Sequence, residues 1–221
     1  MEIANDVIVF DLDGTLLDGD STGVWIRRGL LKFPLRSFIA MLTLPITLPM
    51  LAFIKTRHRA AGFLIWLASK GMSEGDLKAS FKSFAEKIGT DGFVLNWRHV
   101  GLDLVRQYHE SGDEVVIVTA APEWLASSLF ETLGLEVAVI GSTLKPRRGG
   151  WTGDAPCSHE AKCSRLKERG YGEHWAAAYT DSPDDIPLLM RAKRPYVVNC
   201  HRKAKAKKFS KFVPNYEILW W

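Results

Sequence analysis

The sequence predicts an α/β protein in which a parallel sheet carries helices on both faces. The run Val7–Phe10 is apolar throughout, as in a strand that is buried on both sides. From about Phe93 onward, strand-like and helix-like segments alternate, which favours parallel strands joined by helices. Residues 19–92, which separate these two parts, are mostly helical by pattern. They therefore form an insertion and not part of the sheet.

Two carboxylates, Asp11 and Asp13, follow the first predicted strand, together with Gly14 and Thr15. In an open α/β sheet the carboxyl ends of the strands face the ligand-binding crevice. Neighbouring carboxylates repel unless a cation or a proton lies between them, and Mg²⁺ prefers such ligands together with phosphate oxygens. An EF-hand loop would need glycine where Leu16 stands, and a helix cap by Asp13 would leave Asp11 unexplained. The pattern predicts a catalytic magnesium site.

The remaining elements of the predicted sheet follow the insertion. In chain order they are a helix over 94–111, a strand over 114–119, a helix over 123–133, a strand over 137–140, a hairpin-like stretch over 142–152, a helix that contains Lys162, a strand over 175–180, a helix over 185–191 and a strand over 196–199. This alternation places the ends of several strands at one edge of the sheet.

The segment Asp11–Thr15 resembles the first motif of the haloacid-dehalogenase superfamily of phosphohydrolases. Three further motifs follow in the order typical of that superfamily. Thr119 ends a strand, Lys162 lies near the start of a helix, and Asp181 and Asp185 follow another strand. Four motifs in this order are far more specific than any one of them alone.

The resemblance implies a Rossmann-like parallel sheet core and a helical cap inserted between the first and second motifs. The core comprises residues 1–18 and 93–221, and the cap comprises residues 19–92. In this superfamily the cap closes over the site and carries much of the substrate choice.

The resemblance also implies an Mg²⁺-dependent phosphoric monoester hydrolase that forms an aspartyl-phosphate intermediate. Asp11 is the nucleophile, which attacks phosphorus. Asp13 protonates the leaving oxygen and later accepts a proton from water. Asp11, the main-chain carbonyl of Asp13 and the carboxylate of Asp181 hold the metal.

Further residues of the motifs are implied to bind the phosphate group. The Thr119 hydroxyl and nearby main-chain N–H groups, with Ala120 among them, contact its oxygens, and Lys162 offsets its charge. Asp185 orients Lys162 or a metal-bound water. Asp184 is the alternative for this role, but Asp185 fits the Asp-x-x-x-Asp spacing of the superfamily.

The stretch 37–54 is uncharged and apolar on all sides, unlike an amphipathic cap helix. Pro45 and Pro49 argue against one continuous helix, because each costs about 3 kcal/mol in a helix interior. Cations flank both ends, which predicts a bent or re-entrant hairpin whose ends stay on the cytoplasmic face. They are Arg27, Arg28, Lys32, Arg36, Lys55, Arg57 and Arg59. The alternative is a buried pair of cap helices or a dimer interface.

This cap is similar to that of one branch of the superfamily, the phosphatidylglycerophosphatases. The segments 29–35, 54–55, 64–66, 179–182 and 187–189 carry the resemblance. It implies hydrolysis of phosphatidylglycerophosphate at the cytoplasmic side of the inner membrane, by a peripheral or re-entrant protein. Two other hypotheses stay open. One is a cytoplasmic phosphatase for a phosphoserine-like small molecule, and the other is a non-catalytic, membrane-bound phosphate sensor.

Residue composition indicates the cellular compartment and the kinds of partner that this protein binds. Three cysteines without metal-ligand spacing favour a reducing compartment, and the N-terminal residues lack the pattern of a secretory signal. The segment 202–211 contains six cations, which predicts attraction to an anionic membrane surface or simply a solvated basic helix. No stacking platform or recognition motif accompanies it, so nucleic acid is not expected.

Overall fold

The computed structural model describes residues 6–221, apart from the side chain of Ile54. Residues 1–5 lie outside this description. They belong to the predicted core segment 1–18 and to the N-terminal part in which no secretory signal is expected. The strands are β1 (Val7–Phe10), β2 (Glu114–Pro122), β3 (Ala138–Ser142), β4 (Leu144–Arg147), β5 (Gly150–Gly153), β6 (Trp175–Thr180), β7 (Ala192–Val198) and β8 (Glu217–Leu219). The helices are α1 (Ser21–Leu31), α2 (Pro34–Ala52), α3 (Ile54–Ala68), α4 (Glu74–Ala85), α5 (His99–Glu110), α6 (Glu123–Thr132), α7 (Glu160–Glu168), α8 (Ile186–Met190) and α9 (Lys203–Phe212).

Six strands form one parallel sheet in the order β3-β2-β1-β6-β7-β8. Strands β4 and β5 form a separate antiparallel pair. Successive residues of β1 enter two different apolar clusters, Ile8 and Phe10 on one face and Val9 on the other. Both faces of the sheet are therefore covered, as the apolar run of β1 requires. The predicted α/β class is confirmed.

Helices α1 to α4 lie between β1 and α5 in the chain, within the predicted cap. The chain leaves and re-enters the sheet region at one place, where the amide of Asn96 donates to the Asp18 carboxylate over 2.8 Å. Helix α4 begins with a capping box made by Ser73 and Asp76. Its Phe81 is fully buried against Trp25 of α1, with ring centroids 4.8 Å apart.

The helix predicted over 94–111 begins only at His99. The preceding residues pair with the chain that follows β1 instead of forming helix. The Arg98 amide donates to the Leu16 carbonyl over 2.8 Å, and Leu17 forms a bridge with Trp97. Tertiary pairing with a distant segment overrides the local helical pattern here.

The expected break inside the apolar stretch is wrong, because α2 is one helix that contains both Pro45 and Pro49. Each proline removes one main-chain hydrogen bond, and the bonds on either side remain. The Thr43 hydroxyl also donates to the Ile39 carbonyl over 3.0 Å. The extended backbone of Phe53 then separates α2 from α3.

The alternative in which this stretch is buried is also wrong. Thr47 is the buried residue of α2, and large apolar side chains along the helix are exposed. These side chains are Leu35, Phe38, Met41, Leu42, Leu44, Ile46 and Leu48, which are 46% to 71% exposed. Within residues 6–221, α2 is the one helix that is long and apolar enough to cross a membrane, which by itself is weak evidence that it does.

The C-terminal segment returns to the sheet. Helix α9 is anchored by Phe209, which is fully buried, and β8 then pairs with β7 at the sheet edge. The indole of Trp221 donates to the Thr15 carbonyl over 3.0 Å, so the end of the chain contacts the loop after β1.

Candidate active site

The predicted site residues converge at the carboxyl ends of neighbouring strands. Asp11 follows β1, Thr119 lies near the end of β2, and Asp181 follows β6. Strand β1 lies between β2 and β6, so the order of connection reverses beside it. A crevice at this reversal is where open α/β sheets bind ligands.

Asp11 is held by groups on both of its carboxylate oxygens. Oδ1 accepts from Lys162 Nζ over 2.6 Å, and Oδ2 accepts from the Thr15 hydroxyl over 3.1 Å. Burial raises the pKa of Asp11 to about 6, although the charge of Lys162 opposes this. The same Thr15 hydroxyl accepts from the Asp181 amide over 3.0 Å. Thr15 thus fixes the start of the Asp181 loop relative to Asp11.

Lys162 joins two of the motifs. Its ammonium group donates to Asp11 and, over 2.8 Å, to Asp185 Oδ2, which also accepts from the Thr180 hydroxyl over 2.7 Å. Burial alone lowers the pKa of Lys162, but the two carboxylates raise it above its ordinary value. The side chain therefore remains a cation, and it is only 2% exposed. Asp184, the alternative partner, instead pairs with Arg57 Nη1 of α3 at 2.5 Å.

Asp13 faces a different element from Asp11. Its carboxylate accepts from the main-chain N–H of Ser21 over 2.8 Å and from the Ser21 hydroxyl over 3.2 Å, at the start of α1. Removal from water and the neighbouring charge of Asp20 raise the pKa of Asp13 to about 8, despite the bonds from Ser21. Protonated Asp13 is thus available as a proton donor near neutral pH.

Two of the expected phosphate-binding residues lie together near the end of β2. Thr119 is buried, and its hydroxyl accepts from the Ala121 amide over 3.1 Å. Ala120 is exposed and lies, with Asp13, in the wall of the neighbouring cavity. The site beside Asp11 and this cavity therefore share a boundary.

The oxygen groups at this edge fit Mg²⁺. No group of three or more His, Cys, Asp or Glu side chains in the described residues is arranged to hold a metal. The implied donor set needs only two carboxylates, Asp11 and Asp181, because Asp13 would contribute its main-chain carbonyl and turns its carboxylate toward Ser21. Mg²⁺ is commonly bound by one or two carboxylates together with water and phosphate oxygens.

Gly14 makes room for this arrangement. A Cβ atom at Gly14 would lie 2.6 Å from Asp181 Oδ1, and the residue has a φ of +85°. Any other residue would therefore both strain the backbone and displace the carboxylate.

A cavity of about 600 Å³ lies between the first three helices and the β2 end of the sheet. Its lining is mainly apolar and includes Leu30, Met41 and Leu44. Charged side chains occur at intervals in its wall, and they are Asp13, Asp20, Arg27, Arg57 and Asp154. Met41 and Leu44 also belong to the exposed face of α2, so the cavity extends to the surface along that helix.

Several contacts of the site were not expected from sequence. They include the bonds of Ser21 to Asp13, Arg57 to Asp184 and Lys205 to Asp181. Ser21, Arg57 and Lys205 lie outside the four motifs, so nothing in the sequence distinguishes them from solvent-exposed neighbours.

Comparison with known proteins decides the family. Residues 8–190 match the haloacid dehalogenase-like hydrolases. The chain belongs to this family. The haloacid dehalogenase-like match confirms the expected enzyme class, a hydrolase, and covers all four motifs.

Curated relatives of this haloacid dehalogenase-like protein are distant. Phosphoserine phosphatase SerB1 of Mycobacterium tuberculosis is 27% identical over 86% of this chain and 63% of its own length. Protein CicA of Caulobacter vibrioides is 28% identical over 83% of this chain and 81% of its own. The "inhibition of morphological differentiation protein" of Streptomyces azureus is 30% identical, but the match spans only 38% of that protein.

Solved structures share the haloacid dehalogenase-like fold. A protein of unknown function from Bordetella pertussis Tohama I has a TM-score of 0.75 at 21% identity and covers 98% of both chains. A substrate-bound phosphoserine phosphatase has a TM-score of 0.61 at 16% identity, covering 97% of this chain and 93% of that one. These similarities establish the fold, and phosphoserine phosphatases are among its structural neighbours.

Proposed function

We propose that this protein is a phosphoric monoester hydrolase that acts through an aspartyl-phosphate and dephosphorylates a lipid, phosphatidylglycerophosphate. The observation that carries the chemistry is the contrast between two neighbouring carboxylates. Asp11 is paired with Lys162, whereas no cation in the described residues pairs with Asp13, whose pKa is about 8. Two carboxylates in such different surroundings are suited to separate roles as nucleophile and acid.

In the first step an Asp11 oxygen attacks phosphorus, and the bond from phosphorus to the leaving glycerol oxygen breaks. Asp13 donates its proton to that oxygen. In the second step Asp13 accepts a proton from water as the water oxygen attacks the same phosphorus. The bond to Asp11 breaks, which releases phosphate and restores the Asp11 carboxylate and the protonated Asp13.

The remaining residues bind the phosphate group. The Thr119 hydroxyl and main-chain N–H groups that include Ala120 donate to its oxygens, and Lys162 offsets its charge. Asp185 orients Lys162 through the 2.8 Å bond between them. Asp11, the main-chain carbonyl of Asp13 and Asp181 would hold Mg²⁺, which supplies neutralisation of negative charge on the transferring group.

The apolar cavity supports a lipid as the leaving group. Asp13, the proposed acid, lies in its wall, so the alcohol that departs would enter a space lined by apolar side chains. A cavity of about 600 Å³ is within the usual range for ligand pockets. A small polar alcohol such as serine would leave most of that lining without an apolar partner.

The exposed face of α2 supports a membrane surface as the partner. Seven large apolar side chains on one helix are exposed, and contiguous apolar surface of this kind marks interaction sites. We propose that residues 19–92 form the cap on the core of residues 1–18 and 93–221. The α2–α3 bend of this cap would contact the cytoplasmic side of the inner membrane, as a peripheral or re-entrant element.

A second candidate is a phosphatase for a small phosphoserine-like substrate in the cytoplasm. The 27% identity to phosphoserine phosphatase SerB1 over most of this chain favours it. In that case the α2 face would contact another protein or a second copy.

A non-catalytic phosphate sensor is a third candidate, and any turnover above a nucleophile-free blank would exclude it.

Phosphate release separates these candidates. The protein would be assayed with Mg²⁺ on phosphatidylglycerophosphate in mixed micelles and on phosphoserine in buffer, with Asp11→Asn as the blank. We expect release from the lipid alone. Release from phosphoserine alone would keep the mechanism and contradict the lipid substrate.

A further inference from the structure

The loop after β6 contains three aspartates, each paired with a cation from a different helix. Asp185 binds Lys162 of α7, Asp184 binds Arg57 of α3, and Asp181 binds Lys205 of α9. The first pair belongs to the superfamily motifs, and the second joins the loop to the cap. The third involves a helix that none of the four motifs includes.

Lys205 differs from the other cations near it. The segment 202–211 contains six cations, of which Lys205 is half-buried and the other five are exposed. Its side chain is 31% exposed and points to the sheet edge instead of to solvent. Helix α9 fixes its position, because Phe209, four residues later, is fully buried.

One ammonium group holds Asp181 at two points. Lys205 Nζ donates to the main-chain carbonyl of Asp181 over 3.0 Å and to its carboxylate Oδ2 over 2.8 Å. The whole carboxyl group of Asp181 also lies against Gly14, because a Cβ there would be 2.6 Å from Oδ1, 2.7 Å from Cγ and 2.9 Å from Oδ2. The carboxylate therefore lies beside the loop that contains Asp11 and Asp13, and its Oδ2 is held by Lys205.

We propose that Lys205 is a positioning residue for the metal ligand Asp181. By occupying Oδ2 and the main-chain carbonyl, it leaves Oδ1 to bind Mg²⁺. This inference rests on the proposed function, because it assumes that Mg²⁺ binds at Asp11 and Asp181. Groups that orient a metal ligand commonly change metal affinity by about 10-fold to 100-fold when they are removed.

The test is Mg²⁺ binding measured by isothermal titration calorimetry on the full chain without substrate. Lys205→Met should weaken Mg²⁺ binding by about 10-fold or more. Lys205→Arg should retain most of the affinity, because a guanidinium group also donates to two oxygens. Lys207→Met is the matched control, since Lys207 is an exposed cation on the same helix. It should bind Mg²⁺ like the wild type.

Melting temperatures of the four proteins distinguish positioning from folding. We expect similar values for the Lys205→Met and Lys207→Met variants. If Lys205→Met does not fold, the comparison of Lys205→Arg with Lys205→Gln replaces it, with weaker Mg²⁺ binding expected for the Gln variant. Equal or tighter Mg²⁺ binding without the Lys205 cation would overturn the inference and leave the proposed function intact. A wild-type protein that binds no Mg²⁺ would overturn both.

Discussion

At the scale of single residues, the site depends on how a few charges are paired. Lys162 is buried between Asp11 and Asp185, and each of these carboxylates has a second partner in a threonine hydroxyl. Three charged groups are thus removed from water together. Removal of one of these three groups would leave buried charge on the others without a partner of opposite sign.

The first prediction concerns the nucleophile. Asp11→Asn should reduce phosphate release to the level of a protein-free blank, because an amide does not form the phosphorylated intermediate. Near-ultraviolet circular dichroism should stay unchanged, since asparagine has nearly the same shape. Asp91→Asn, at an exposed position, is the control and should be fully active. Near-normal release by Asp11→Asn would contradict the assignment.

The second prediction concerns the pH dependence of the proton donor. Asp13 must be protonated to donate, and its pKa is about 8. Activity should therefore fall as the pH rises through about 8, because the ionised form has no proton to give. In ¹³C NMR spectra of protein labelled at aspartate carboxyls, one resonance should titrate near this pH.

That resonance should be absent from Asp13→Asn, and kcat of this variant should fall by about 10²-fold to 10⁴-fold. An aspartate spectrum with no titration above pH 6 would contradict the raised pKa.

The third prediction concerns Lys162 and stability. Lys162→Met should lower the free energy of unfolding by about 3–5 kcal/mol at neutral pH, because two carboxylates lose their buried cation. Urea denaturation measures this change. The double variant Lys162→Met/Asp185→Asn should recover part of the loss, since one of the two charges is gone. A double variant no more stable than the single one would show that the cost arises from packing and not from charge.

At the scale of elements, the strands of the sheet could be predicted from the sequence, but the continuity of helix α2 could not. The strand over 175–180 has the predicted bounds because its run of apolar and small residues is uninterrupted. The continuous α2 was not foreseen, because proline penalties describe an isolated helix and take no account of the rest of the chain. The four motifs located Asp11 and Lys162 from sequence. Lys205 could not be found in this way, because its partner depends on how α9 packs.

The fourth prediction concerns the exposed face of α2. Leu42→Gln/Ile46→Gln should leave the melting temperature unchanged, because both side chains are more than 60% exposed. The same change should reduce co-sedimentation with vesicles that contain phosphatidylglycerol. Val100→Gln/Met190→Gln replaces two exposed apolar residues elsewhere and should sediment with vesicles like the wild type. Equal sedimentation of both double variants would argue against a membrane role for α2.

At the scale of the whole molecule, two of the contacts between the proposed cap and the rest of the chain differ in kind. Helix α4 shares an apolar cluster with the sheet, through Phe81 and Phe10 among others. On the other side, Arg57 of α3 pairs with Asp184 of the loop after β6. Both partners of this ion pair are more than one-third exposed, so it adds little to overall stability.

The fifth prediction follows from the difference between the apolar packing of α4 and the exposed ion pair of α3. Arg57→Gln should speed amide hydrogen exchange in the first turns of α3, where the cap loses its contact with the loop. Exchange in α4 and in β1 should not change, because their apolar packing is intact. Arg59→Gln, an exposed cation on the same helix, is the control. Unchanged exchange in α3 would show that the ion pair does not hold the cap.

The exposure of α2 has a consequence for how this protein can diverge. Residues in the core are closely packed against their neighbours, so adding or removing even one methylene group there changes stability. Only Thr47 of the nineteen residues of α2 is buried, so close packing does not restrict most side chains of this helix. A related chain could acquire a polar α2, or one suited to another partner, without repacking the sheet or moving Asp11. The exposed face of α2, which we propose contacts the membrane, can therefore change without a change in the residues that we propose for the chemistry.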